Sequence, residues 1–158
     1  MLTSAKSLSA MTARELMSHE VIAVPQHMSL QGAARLLAES QISGAPVIDE
    51  EGRCVGVLSS NDFLRWARGN HHAEKVQCES VTVCSDWQML DVESLPEDEV
   101  RTYMTPDPVT VGPETSVLDL ARMMLDAHIH RVIVVDKERR PIGIVASTDF
   151  VAAVAYSK

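Results

Sequence analysis

The side chains best suited to chemistry in this sequence are two aspartates, Asp62 and Asp149, which close the similar phrases GVLSSND and GIVASTD. Each aspartate falls where a helix is predicted to begin. An ionised carboxylate at that place can accept hydrogen bonds from both hydroxyls of a ribose. The positive end of the helix dipole also favours any acid there, with no ligand involved. The residues alone leave both interpretations open.

A basic pair, His130 and Arg131, stands at the entry to a predicted buried strand. Arginine is a fixed cation whose fork suits the oxygens of a phosphate group. His128 and His130 alternate along the chain, so a simpler interpretation makes both of them polar residues at a strand edge. A histidine at this place could titrate near neutral pH.

The cysteines offer a weaker candidate for chemistry. They are Cys54, Cys78 and Cys84, and His71 and His72 lie just upstream of the last two. Their spacing matches no zinc pattern, so we expect no metal site and interpret them as reduced surface thiols. An odd number of cysteines in a chain of this size is typical of a reducing compartment.

Composition and missing motifs exclude several functions. The 158 residues include 22 acidic and 14 basic side chains, a net charge of -8, so the basic field of a nucleic-acid binder is missing. No apolar run approaches the roughly 18 residues of a membrane span, and the chain start is a poor secretory signal. We expect a cytoplasmic protein, with organelle targeting as a weak alternative.

Motifs for catalysis are missing as well. The sequence has no Ser/His/Asp order, no metal motif, no phosphate-cradling glycine loop and no nicotinamide fingerprint. We therefore expect a protein that is not an enzyme and that requires no cofactor.

The elements that position these side chains come from an internal repeat. Residues 17–63 align without a gap with residues 104–150, so each residue matches the one 87 positions later. Each copy is predicted to form strand, helix, strand, strand and helix. The predicted boundaries are a tail at 1–10, repeats at 11–67 and 98–154, an insertion at 68–97 and a tail at 155–158. The insertion is polar and acidic, and its Trp87 is interpreted as packing on the module.

Local signals support these elements. Ser29 and Ser116 are natural N-caps, and apolar residues follow both at helical spacing, which predicts one buried face on each helix. The predicted faces are Leu30, Ala33, Ala34, Leu37 and Val117, Leu120, Ala121, Met124. First strands are predicted at 21–24 and 109–111 and buried strands at 45–48 and 132–135. Hairpin turns are predicted at Gly52 and at Arg140-Pro141.

The repeated segments contain the phrase ISGAPVID and the signature Gly-x-x-Ser/Thr-x-x-Asp. With these motifs, the chain resembles paired cystathionine-β-synthase-type (CBS) domains over residues 11–67 and 98–154. The resemblance implies an α/β (α+β) fold in which two pseudosymmetric β-α-β-β-α repeats pack into one module. It also implies two clefts for an adenosine-containing nucleotide. The ribose would meet the signature Asp, the adenine the partner repeat, and the phosphates the start of the second strand.

The two implied clefts are unequal. Cleft 1 has basic residues for phosphate but an incomplete ribose motif, because Ala146 stands where the first copy has the hydroxyl of Ser59. Thr148, just before Asp149, is a partial substitute. Cleft 2 has the full ribose motif, but Ser43 and Gly44 stand where the second copy has its basic pair. We expect a charged nucleotide in cleft 1 and a weakly charged ligand in cleft 2.

The resemblance assigns ligand-binding residues to each cleft. Those of cleft 1 are Ile22, Ile42, Ser43, His130, Arg131, Thr148 and Asp149. Those of cleft 2 are Ser59, Asn61, Asp62, Val109, Thr110 and Ile129.

The implied function is a regulatory module that binds AMP, ADP or ATP and signals to a separate, unidentified partner protein. The alternative is a ligand-free interaction module that acts through its dimer faces and the insertion around Trp87. Family resemblance also predicts a homodimer across exposed helical faces.

Overall fold

The computed structural model describes residues 7–69 and 92–156. These residues form two compact units, and each unit takes chain from both sequence repeats. The Asp62 unit lies within residues 24–49 and 55–107, and the Asp149 unit lies within residues 1–23, 50–54 and 108–158. The segment that opens each repeat therefore belongs to the unit of the other repeat. The predictions for Trp87 and for His71, His72, Cys78 and Cys84 fall outside the described residues.

The elements follow the predicted order in each copy. In chain order they are α1 (Ala13–Leu16), β1 (Val24–Pro25), α2 (Leu30–Glu39), β2 (Gly44–Ile48), β3 (Cys54–Ser59), α3 (Ser60–Gly69), β4 (Thr105–Pro106), β5 (Thr110–Val111), α4 (Val117–Ala127), β6 (Arg131–Val135), β7 (Pro141–Ala146) and α5 (Ser147–Ala155). The mixture of helices and sheets confirms the predicted α+β class. No helix in residues 7–69 and 92–156 combines the length and apolar character that crossing a membrane would need.

Each unit is built on one sheet. In the Asp62 unit the strand order is β1-β2-β3-β4, with β1 parallel to β2 and β3 antiparallel to β4. In the Asp149 unit the order is β5-β6-β7, with β5 parallel to β6 and β6 antiparallel to β7. The same local pattern thus appears twice, as the repeat predicts.

The predicted helix caps and buried faces are confirmed. The Ser29 hydroxyl accepts the Gly32 N–H at 3.1 Å, and the Ser116 hydroxyl accepts the Asp119 N–H at 3.1 Å. Both bonds satisfy a donor that the first helical turn leaves unpaired. The buried residues of the two faces are Leu30, Ala33, Ala34, Leu37 and Val117, Leu120, Met124, with Ala121 half-buried.

Three local predictions are wrong in detail. The first strands are only two residues long, Val24–Pro25 and Thr110–Val111, and β1 begins at the residue where the chain enters the Asp62 unit. The second hairpin turns at Arg139 (φ 64°), the counterpart of Gly52 (φ 78°), and Pro141 already lies in β7. Cys54 is a buried cysteine that packs as a small apolar residue, not a surface thiol.

Candidate functional site

The predicted phosphate and ribose residues of the second copy meet at one edge of the β5-β6-β7 sheet. Because β6 and β7 are antiparallel, Arg131 at the start of β6 lies opposite Ala146 at the end of β7. The Ser147 N–H then donates to the His130 carbonyl at 2.9 Å, which ties the start of α5 to the same edge. This edge therefore carries a cationic side chain beside the first turn of a helix.

Asp149 caps the helix that begins at this edge. One carboxylate oxygen, Oδ2, accepts the Ala146 N–H at 2.7 Å. Among the described residues this is its only hydrogen bond, and Asp149 is half-buried. A carboxylate offers about four acceptor positions, so most of its capacity is available to an incoming donor. The helix-capping role and a ligand role are compatible here.

Asp62 has the same capping role but very different surroundings. Its Oδ2 accepts the Ser59 N–H at 2.7 Å and the Ser59 hydroxyl at 3.1 Å. Its Oδ1 accepts the Thr105 hydroxyl at 3.0 Å and lies 3.3 Å from Nη1 of Arg65. The residue is only 3% exposed. Buried carboxylates need such partners, and Asp62 has them inside its own unit.

The basic side also differs between the copies. Arg131 is exposed at the start of β6, next to the exposed His130. The matching position in β2 is Gly44, where an added Cβ would lie 3.1 Å from the Leu58 carbonyl oxygen and 3.3 Å from the Ser59 Cβ. The first copy therefore lacks both the charge and the room for an arginine at this place.

The other predicted residues divide between the units. Ile22, Val109, Thr110, Ile129 and Thr148 lie in the Asp149 unit, whereas Ile42, Ser43 and Asn61 lie in the Asp62 unit. Val109 is 38% exposed, and Ile42 and Ile129 are half-buried against the cores of their own units. Each predicted cleft draws on both units, so the assembled clefts stay a prediction.

Sequence reasoning missed two residues that contact the signature carboxylate, Thr105 and Arg65. One signal was present: a hydroxyl residue directly follows the matched methionine in both copies, as Ser18 and as Thr105. What the sequence does not state is which distant carboxylate that hydroxyl meets. Among the described residues, no group of three or more histidine, cysteine or acidic side chains is arranged to hold a metal ion.

Comparison with known proteins decides the family. A family model described as the CBS domain matches this chain twice, at residues 13–69 and 100–156. The chain belongs to the CBS domain family. The predicted tandem pair of CBS repeats is thereby confirmed.

Similar proteins extend over most of this CBS chain. An uncharacterized protein of Methanocaldococcus jannaschii is 27% identical over 154 residues, 91% of either chain. The chloroplastic CBS domain-containing protein CBSX2 of Arabidopsis thaliana is 31% identical over 82% of this chain. The matched region is 57% of that plant protein, so this chain spans just over half its length.

One of the similar solved structures carries a nucleotide. It is the crystal structure of CBSX2 in complex with AMP, which has a TM-score of 0.69 and 28% identity to this chain. The likeness covers 91% of this chain and 96% of that one. The CBS pair architecture is therefore shared over nearly the whole length of both.

Proposed function

We propose that this CBS pair is a non-catalytic regulatory module that binds an adenosine-containing nucleotide of the AMP, ADP or ATP class and signals the bound state to a partner protein. The observation that carries the proposal is the sheet edge of the Asp149 unit. There a half-buried carboxylate with spare acceptor positions shares an edge with an exposed arginine. The AMP complex of CBSX2, a relative of the same architecture, supports the choice of ligand.

The ribose would bind to Asp149. The carboxylate is already oriented by its bond to the Ala146 N–H, which leaves Oδ1 to accept hydroxyl donors. Because Ala146 has no hydroxyl, Thr148, which is exposed one residue before the aspartate, is the side-chain hydroxyl proposed to take its place. Charge-assisted bonds of this type are about twice as strong as neutral ones.

The phosphate would bind to Arg131, with His130 as a second donor. A guanidinium keeps its charge at any physiological pH and can contact two phosphate oxygens at once. Ile22, Ile42 and Ser43 are the residues proposed for the adenine. A charged nucleotide is accordingly favoured over free adenosine at the Asp149 edge.

A ligand-free interaction module is the second candidate, and the exposed face of α4 and α5 favours it. Leu125 is 74% exposed, Val151 68% and Val154 63%, and α5 has no buried residue. Apolar helix surface of this kind usually contacts another protein. We propose a second copy of this chain as the occupant. No charged side chain follows Asp149 before Tyr156, so the α5 part of this face adds no local charge to the repulsion expected between two chains of net charge -8.

A ligand panel tests the proposed function. Thermal unfolding would be followed with AMP, ADP, ATP, NAD and S-adenosylmethionine, and with GMP as the control base. A ligand at 100 times its Kd stabilises the native state by about 2.7 kcal/mol, so a rise in Tm with an adenosine compound and none with GMP is expected. If no adenosine compound raises the Tm, the proposal of nucleotide binding is contradicted and the ligand-free interaction module is favoured.

A further inference from the structure

The acceptor positions of Asp62 are all in use. Two are taken by the backbone and hydroxyl of Ser59, one by the hydroxyl of Thr105, and one faces the guanidinium of Arg65. A carboxylate has about four such positions, so none is left for the two hydroxyls of a ribose. The side chain is also 1% exposed, which leaves no approach for a ligand without displacing one of these groups.

The four partners are not equally firm. Ser59 belongs to the helix cap and is fixed by the backbone. Arg65 is 67% exposed, and an exposed ion pair contributes little, so a ligand would displace it easily. The Thr105 hydroxyl is therefore the partner that decides whether Asp62 is open or closed.

The fold holds Thr105 in this place. β4 pairs with β3 so that Thr105 lies opposite Val57 and Pro106 lies opposite Gly56. Just before it, Met104 packs so closely on Gly56 that a Cβ there would be 2.5 Å from the methionine sulfur. The strand that carries the hydroxyl is thus fixed on both sides.

The other unit has the same backbone without the same bond. Ser18, the counterpart of Thr105, pairs with Ile144, the counterpart of Val57, through N–H···O bonds of 2.9 Å and 3.1 Å. In the described chain, however, Asp149 accepts only the Ala146 N–H, and the Ser18 hydroxyl does not reach it. The two repeats therefore share a backbone arrangement but differ at the signature carboxylate: the acceptor positions of Asp62 are occupied, and most of those of Asp149 are available.

We propose that Thr105 determines which half of this module binds a nucleotide, by occupying the carboxylate of Asp62 in place of a ribose hydroxyl. The inference rests on the proposed nucleotide-binding function. It makes the stoichiometry one nucleotide per chain, bound through Asp149, and it makes the second site latent. A change that moves β4 would open the second site.

Calorimetric titration with AMP tests this proposal. The wild-type chain should bind one equivalent, and Thr105→Ala should bind a second, because the freed acceptor position can take a ribose hydroxyl. Since the Asp62 half has Gly44 in place of Arg131, adenosine is titrated in parallel with AMP, and a second equivalent of either compound counts as a gain. Ser18→Ala is the matched control and should stay at one equivalent. Thr105→Val removes the same hydroxyl with a side chain that suits a strand, and it serves if the alanine variant unfolds.

The same titration in an Asp149→Ala background distinguishes a failure of the Thr105 inference from a failure of the proposed nucleotide-binding function. Asp149→Ala should abolish AMP binding, and Thr105→Ala added to it should restore one equivalent. One equivalent in the wild type with no gain in either Thr105 variant would overturn the role of Thr105 alone, as would two equivalents in the wild type. No binding by any variant would overturn the proposed function together with the inference.

Discussion

Met17, from the first repeat, packs its side chain directly against Gly143 of the second repeat, and an added Cβ at Gly143 would overlap the methionine side chain. Met104 has the same relationship to Gly56 in the other unit. The glycines that open the phrases GVLSSND and GIVASTD are thus closely packed, and a Cβ at either one would force a methionine side chain to shift. Each of these two contacts joins an exchanged opening segment to the sheet of the unit that contains it.

The first prediction concerns this packing. Gly143→Ala should lower the free energy of unfolding by about 1–3 kcal/mol, because extra volume in a closely packed site forces neighbouring atoms to shift. Urea denaturation of the purified chain measures the change. Gly112→Ala is the control, since a Cβ there meets nothing within 4 Å, and it should change the stability by less than about 0.5 kcal/mol. Equal effects of the two substitutions would disprove the packing argument.

A second prediction concerns alkaline pH. Tyr103 donates a hydrogen bond to Oδ2 of Asp98 at 2.9 Å. Burial, and then the bond to Asp98 and its negative charge, raise the pKa of Tyr103 above its ordinary value. The folded state therefore holds this proton more tightly than the unfolded state. Its contribution to stability is complete below about pH 10, the ordinary tyrosine pKa, and is lost as the pH rises through the higher folded value.

Tyr103→Phe should accordingly flatten the fall in stability above about pH 10, while costing about 1 kcal/mol at neutral pH for the lost hydrogen bond. Unfolding by urea at a series of pH values measures both effects. Tyr156→Phe changes a side chain that is 85% exposed and should leave the pH profile as it is in the wild type. A Tyr103→Phe profile parallel to that of the wild type would refute the linkage.

Much of the fold could be predicted from the sequence because its signals are local. Serine caps, helical apolar spacing and short β-rich runs each depend on neighbouring residues, and Ser29, Ser116 and the faces behind them were predicted correctly. The exchange of opening segments could not be predicted this way. A repeat shows which residues are alike, but not whether Met17 packs within its own copy or against Gly143 of the other.

The third prediction separates the phosphate from the rest of the ligand. Arg131→Ala should weaken AMP binding about tenfold, or about 1.4 kcal/mol, because one charged contact is lost. Binding of adenosine should change little. Lys137→Ala removes an exposed cation beyond the opposite end of β6 and serves as the control. Calorimetric titration at two salt concentrations checks the assignment, and equal losses for AMP and adenosine would speak against Arg131 as the phosphate ligand.

The fourth prediction concerns self-association. Val151→Glu combined with Val154→Glu should convert a dimer to a monomer at micromolar concentration, because two charges on each copy would face each other in a symmetric contact. Leu64→Glu is the matched control, since Leu64 is the counterpart of Val151 and is 48% exposed in the other unit. Sedimentation velocity distinguishes the states. A wild-type chain that sediments only as a monomer would contradict the proposal that a second copy of the chain covers this face.

The site was less predictable than the fold, and the reason lies in particular contacts. The sequence predicts that the two halves differ, because Ala146, Ser43 and Gly44 are visible as substitutions within a repeat. It ranked Asp62 as the complete ribose motif. The hydroxyl of Ser59, which completes this motif, and the hydroxyl of Thr105 both donate to the Asp62 carboxylate and occupy its acceptor positions. Thr105 lies 43 positions from Asp62, so no local sequence signal predicts this bond.

The most direct test of the central claim is calorimetric titration of AMP into the wild-type chain and into Asp149→Ala. The account predicts one equivalent bound by the wild type and none by the variant. Asp119→Ala, which removes another acid from a first helical turn, should bind like the wild type. Undiminished AMP binding by Asp149→Ala would contradict the claim that this carboxylate holds the nucleotide.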